Sequence, residues 1–319
     1  MAFITSASLG GAVPDATTNF TAMDRLIDFL TGVTGTLPAI QQWVVNLDDT
    51  ATVPGERHVY LQGPGLSGTD AIYVVIRVYD IVGPDVRNWE ILGCTGFNPA
   101  SAYNAQPGGS TIRSYLTLND DVDMPFWFFA NGRRFICVFN VVNTYHACTA
   151  GFFLPYGPPA EYPYPMFCGG SAERENIRWS NATYNIGNFY DGPLGSSTAS
   201  CAHIRHVDGT WLRVGSYNQS NSTTRPITNL AACRLSFFSE RPIFDMDIMA
   251  SVGGGYPLFP VTIFTPENGG VVYGELDGVC WTSPRDNTTE STITDGGDEF
   301  LVIQNTYRSE EPNCAILQA

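Results

Sequence analysis

The stretch Met124–Val142, MPFWFFANGRRFICVFNVV, sets two aromatic and β-branched runs on either side of Asn131-Gly132. Aromatic and β-branched side chains fit a pleated, half-buried surface. Asn-Gly supplies the positive φ angles of a type I′ turn, so the stretch predicts a β-hairpin. Three more dipeptides repeat the signal further along. Asp208-Gly209 lies between His203–Val207 and Trp211–Val214. Asp277-Gly278 lies between Val271–Leu276 and Val279–Trp281, and Asp295-Gly296-Gly297 precedes Phe300–Ile303. Asp70–Tyr79 (DAIYVVIRVY) reads as a further strand. With 32 Gly and 21 Pro to mark turns, the expectation is an all-β chain, a β-sandwich of jelly-roll type built from hairpins.

One helix is expected. Phe20, Met23, Leu26, Ile27 and Leu30 recur at helical spacing after a Thr17 or Thr18 cap, and Gly32 and Gly35 can end it. Residues 1–16 before it are small and aperiodic, and read as an arm that needs something to hold it. The expected division is an arm and helix over 1–54 and a β-sandwich over 55–319, the latter one body or two packed lobes joined near 154–170. The Pro/Tyr-rich run Leu154–Pro165 (LPYGPPAEYPYP) cannot sit inside a ladder, because Pro has no N–H to donate. It is a linker, an interaction loop or a packed crossover. Ser216–Thr228 and Pro284–Glu290 are further loop candidates.

Composition narrows the chemistry. The net charge is −15 and all 16 basic residues are Arg, which disfavours nucleic acid as the main partner. The start lacks a basic, apolar leader, and no run of about 18 apolar residues offers a membrane span. Synthesis in a cytoplasm is expected. The eight cysteines are dispersed with no CxxC pair, so they read as reduced thiols packed as small hydrophobes. A phosphate loop needs a Lys that the chain lacks, and Gly63–Gly68 opens no helix. His203 and His206 are three apart on a strand, hence on opposite faces. Asn119, Asp121 and Asp123 begin like a calcium loop, but Met124 replaces its Gly. Glu275 and Asp277 share a strand face, yet a turn with Gly278 accounts for Asp277. Cys148 follows His146 by two residues without a third group to orient them. No catalytic residue, metal ligand or cofactor site is expected.

Three blocks taken together carry a resemblance: Asp70–Pro99, Phe126–Ser171 and Tyr273–Arg308. They resemble a family of virion structural proteins of tailed bacteriophages and prophages, over most of the chain from about residue 55. The resemblance implies a non-enzymatic neck or tail protein, made in the bacterial host cytoplasm and built into the virion as a homo-oligomeric ring. Its partners are then itself and neighbouring virion proteins, and the favoured level is the neck, as a collar or head-to-tail connector. Interface candidates are Phe3 and Ile4 in the arm, with Tyr156, Tyr162 and Tyr164 in the Pro/Tyr run. Two other functions fit the same residues. One is a tail-tip or baseplate protein whose tyrosines stack on host glycan. The other is a polysaccharide hydrolase with a carboxylate pair.

Overall fold

The computed structural model describes residues 1–7, 16–120, 122–185, 201–214, 256–265, 271–282, 287–304, 306 and 313–318. The first part of the chain gives β1 (Ala2–Thr5), helix α1 (Asn19–Leu30), β2 (Val44–Asp49), β3 (Glu56–Gly63), β4 (Ile72–Ile81), β5 (Val86–Cys94) and β6 (Ser114–Leu118). Next come β7 (Phe126–Ala130), β8 (Arg134–Val141), β9 (Thr144–Phe152), β10 (Leu154–Pro155), β11 (Met166–Gly169), β12 (Ala202–Arg205) and β13 (Trp211–Val214). The last part gives β14 (Phe259–Thr265), β15 (Val271–Thr282), β16 (Thr292–Asp295), β17 (Asp298–Ile303) and β18 (Asn313–Leu317).

The chain is all-β with one α-helix among the described residues, and its strands form three antiparallel sheets. The middle sheet runs β1-β7-β8-β9-β11-β12-β13. A five-stranded sheet, β2 to β6 in sequence order, covers one face. The third sheet, β10-β15-β18-β17-β16 with β14 beside β15, covers the other. The quoted stretch explains the stacking. Phe126, Phe128, Ala130, Phe135, Cys137 and Phe139 enter the core shared with the five-stranded sheet and α1. Trp127, Phe129, Ile136 and Val138 enter the core shared with the third sheet. Successive side chains point to opposite faces, so a strand apolar at every position is a strand buried on both sides. The sandwich is thus of three layers rather than two.

Helix α1 begins at the predicted cap: Thr18 and Thr21 form a reciprocal capping box. It buries Met23, Leu26, Phe29 and Leu30 against the chain's own sheets. Asn19 pins it there, donating to the Tyr79 carbonyl at 3.1 Å and to Asp80 at 2.7 Å. The division expected at residue 54 falls between β2 and β3, which pair from Val44↔Gln62 to Asp49↔His58.

The hairpin signals fare unequally. Asp295↔Asp298 close a two-residue Gly296-Gly297 loop with both φ positive (62° and 101°), a type I′ turn. Asp208-Gly209 also turns a hairpin, with Gly209 at φ 91° and Arg205↔Trp211 flanking it. At Asn131-Gly132 the hairpin stands but the turn type is corrected. Neither residue has positive φ, and Gly132-Arg133 are the central pair. Asn131 Oδ1 accepts from the Arg133 and Arg134 amides at 2.8 and 3.0 Å, an Asx turn. Asp277-Gly278 is corrected outright: it lies inside the single long strand β15. Gly278, at φ 68°, sits where the register against β14 slips between Pro260↔Cys280 and Thr262↔Glu275. A positive φ serves a bulge as well as a turn.

A fourth tight turn carries no glycine. Val141↔Thr144 close a loop of Val142 and Asn143 at φ 50° and 66°. A β-branched residue pays a penalty there of roughly 1–2 kcal/mol, and Val142 is 50% exposed, so packing returns little. Replacing Val142-Asn143 by Asn-Gly is expected to raise the Tm by about 2–4 °C. An unchanged or lower Tm in thermal unfolding would show that the valine side chain is held by contacts that offset its strain.

Candidate functional site

Four clusters bear groups capable of chemistry. The first two hold buried histidines. Ser114 Oγ on β6 donates to the Cys168 carbonyl of β11 and lies 3.0 Å from His203 Nδ1 on β12. With the serine proton committed to that carbonyl, His203 Nδ1 is the donor to Oγ. This is the reverse of the polarity that activates a nucleophile. Thr117 Oγ1 likewise donates to Asn185 at 2.8 Å and receives His146 Nδ1 at 2.9 Å. Ser114, Thr117, His146 and His203 are all fully buried. Burial presses both imidazoles down to a pKa of about 3, so they are neutral pins joining the middle and five-stranded sheets.

The third cluster crosses the outer face of the five-stranded sheet. Arg77 on β4 binds Glu56 on β3 through Nε at 2.8 Å and Glu90 on β5 at 2.9 Å. Arg113 pairs with the far side of Glu90, and His58 meets Glu56 at 3.1 Å. The Arg77 hydrogen bond holds the Glu56 carboxyl below its usual range, and the two carboxylates hold Arg77 charged. The Tyr103 ring closes over His58 at 4.5 Å. Each carboxylate here is matched to a guanidinium across adjacent strands. That arrangement suits a cross-strand ladder better than an acid/base pair, whose pKa values must be pushed apart.

The fourth cluster surrounds the Pro/Tyr run. Leu154–Pro165 leaves β9, adds Leu154-Pro155 to the third sheet opposite Gly274 and Glu275, and returns to the middle sheet as β11. It is a packed crossover, and it sorts its three tyrosines. Tyr156 is 58% exposed, with its hydroxyl on the Glu275 carboxylate. Partial burial and that carboxylate raise its pKa to about 12, which keeps the phenol a donor at ordinary pH. Tyr164 is half-buried, T-shaped on Phe152 at 6.2 Å, and lies under the Arg205 guanidinium. Tyr162 is corrected as a surface candidate: it is 4% exposed, edge-on to Phe153 at 5.5 Å, and its hydroxyl donates to the Arg205 carbonyl. Tyr162→Phe is therefore expected to cost about 1 kcal/mol, one hydrogen bond, and Tyr156→Phe close to nothing. Urea titration of the pair checks this; equal costs would contradict the burial difference.

Phe3 and Ile4, expected in an arm, belong to β1 instead, which pairs with β7 of the same chain from Ala2↔Ala130 to Thr5↔Trp127. Ile4 is 2% exposed, and Phe3 stacks on Phe129 at 4.8 Å. Of the five interface candidates, only Tyr156 presents a largely open ring. Exposed Val207 and Val272, at 51% and 50%, were missed by sequence reading. Each adjoins a member of the His206–Tyr273 hydrogen bond of 2.9 Å.

Among the described residues no group of three His, Cys, Asp or Glu gathers as a metal site, and the seven described cysteines form no disulfide with one another. His203 and His206 have separate partners, Ser114 and Tyr273, although the strand ends at Arg205 and His206 lies in the turn that follows. Glu275 and Asp277 also serve separate partners, Tyr156 and Asn131. Asp121, Cys233, the loop candidate at 216–228 and the start of that at 284–290 lie outside the described residues. No helix among the described residues is long and apolar enough to cross a membrane. No model of a known protein family matches the chain, and no curated protein matches it in sequence.

Proposed function

We propose that the chain is a non-enzymatic structural subunit of a tailed-bacteriophage particle, assembling as a homo-oligomeric ring of the neck. The observation that carries this reading is the three-block resemblance, and the fold gives those blocks a physical meaning. Asp70–Pro99 holds β4 and β5, Phe126–Ser171 holds β7 to β11, and Tyr273–Arg308 holds β15 to β17. One block thus falls chiefly in each layer of the stack. The histidines and much of the charge support the same reading, since they are spent on cross-sheet pins and ladders. Ring contacts are head-to-tail and close by rotation; the open side of the Tyr156 crossover is a surface available for one.

An early stop codon in the gene, followed by negative-stain microscopy of the lysate, tests the placement. Separate filled heads and finished tails are the expected outcome. Complete particles that fail to adsorb would transfer the protein to the host-facing tip. The glycan-binding reading would then lead, favoured by one observation: the Tyr156 ring is open and its hydroxyl is fixed on Glu275. Aromatic faces of this kind stack on sugar rings, and glycan-array binding lost in Tyr156→Ala would support it.

A further inference from the structure

Arg134 is 3% exposed, between the middle and third sheets, and the protein satisfies its guanidinium only in part. Nη2 donates to the Asp277 carbonyl and lies 3.1 Å from Met1 Sδ. The Asp277 carboxylate stands 3.9 Å from Nε, beyond hydrogen-bond reach. Nε and Nη1 meet no hydrogen-bond acceptor among the described residues. Arg134 also lines a small, mostly apolar cavity with Thr149, Gly151, Phe153, Leu276 and Asp277, among others, which has room for about one water-sized sphere. A buried cation left with bare N–H groups is costly, so the cavity and the guanidinium call for the same occupant.

We propose that this cavity is a binding site for a single water molecule, which accepts from Arg134 and donates to the Asp277 carboxylate. The lining chemistry selects the ligand. Arg134 can only donate and the carboxylate can only accept, so a bridging group must do both. A halide accepts but does not donate, and it would crowd the negative charge of Asp277. A metal cation would face the guanidinium. Thr149 Oγ1 gives its own proton to the Phe135 carbonyl at 2.9 Å, which leaves a lone pair for the water's second proton. The joint between the β8 hairpin and the β15 bulge is then completed by solvent, next to the direct bond from Asn131 to Asp277 at 2.8 Å.

Crystals of the whole chain grown in sodium bromide, taken to a resolution that shows ordered waters, test the site. The expected result is one isolated peak about 2.7–3.2 Å from Nε or Nη1, with no anomalous signal from bromine. A bromine signal there would make it an anion site, and an empty cavity would remove the ligand altogether; either overturns the proposal. The Arg134→Met variant adds a second reading, since its cavity loses the donor and is expected to lose the peak. A peak retained in that variant also overturns the assignment.

Discussion

Lowering the pH from 7 toward 4 is expected to strip several kcal/mol of stability from the folded chain and to unfold it well above the range where most carboxylates protonate. His146 and His203 carry the effect. Both are fully buried, and desolvation sets their folded pKa at about 3 against an ordinary 6.5. Arg213 and Arg113 add repulsion at His203, while the hydrogen-bonded groups around the two rings (Ser114, Thr117 and Ser171) bring no charge. The folded pKa values lie below the unfolded ones. The unfolded chain therefore takes up protons first, and the stability is complete above pH 6.5 and drains away as pH falls toward 3. Each histidine gives a slope of up to about 1.4 kcal/mol per pH unit within that window. Two of them remove roughly 5 kcal/mol by pH 4.5, comparable to the whole stability of many domains. Urea unfolding at a series of pH values measures the slope. His146→Gln and His203→Gln are each expected to halve it, and a flat profile from pH 7 to 5 would mean the rings are charged or solvated in the fold.

Gly132→Ala is expected to cost at least about 3 kcal/mol and to lower the Tm by on the order of 10 °C. The reason is not φ, which is negative there, but space. A Cβ on Gly132 would stand 1.9 Å from the Gly65 carbonyl oxygen and 3.3 Å from the Gln41 Cα. Gly65 donates its amide to the Gly132 carbonyl at 2.7 Å, so two loops are pressed back to back with no side chain able to yield. Trp43 anchors the same corner, donating Nε1 to the Asn131 carbonyl at 2.9 Å. Gly296→Ala is the control. That glycine has φ 62° but open space around its Cβ position, so only the backbone penalty of roughly 1–2 kcal/mol applies. Equal losses for the two variants would show that the Gly65 contact does not bear load.

Particular residues show how far the sequence could be read. The α1 cap at Thr18 and the Gly296-Gly297 turn were legible because each rests on local chemistry that few other conformations satisfy. The third layer was written in the chain but under-read: Phe126–Ala130 has no polar position, and a strand with only one buried face would need one. The Val142-Asn143 turn was invisible because it violates its own residue preference, with the neighbouring strands imposing the strain. Asp277-Gly278 misled because the same dipeptide suits any positive φ, and only the partner strands decide between a turn and a bulge. In the crossover, alternation of Pro and Tyr gives no period, so nothing local says that Tyr162 turns inward while Tyr156 stays out. The pairing of His203 with Ser114 spans 89 residues, a separation over which local pattern carries no information.

The doubly covered middle sheet also has a consequence in time. Its core strands β7, β8 and β9 are complete by Phe152, and the five-stranded sheet that covers one face is complete by Leu118. Apart from the two-residue β10, the strands that cover the other face span Phe259–Leu317. At roughly 5–20 residues per second, the ribosome leaves Trp127, Phe129, Ile136 and Val138 without their partner layer for on the order of ten seconds. During that interval the nascent chain carries an open aromatic sheet face. A chain of this design is expected to need chaperone protection through that interval for a soluble yield. Its expression is then expected to suffer most from truncations that remove the last layer, more than from changes in the layers made first.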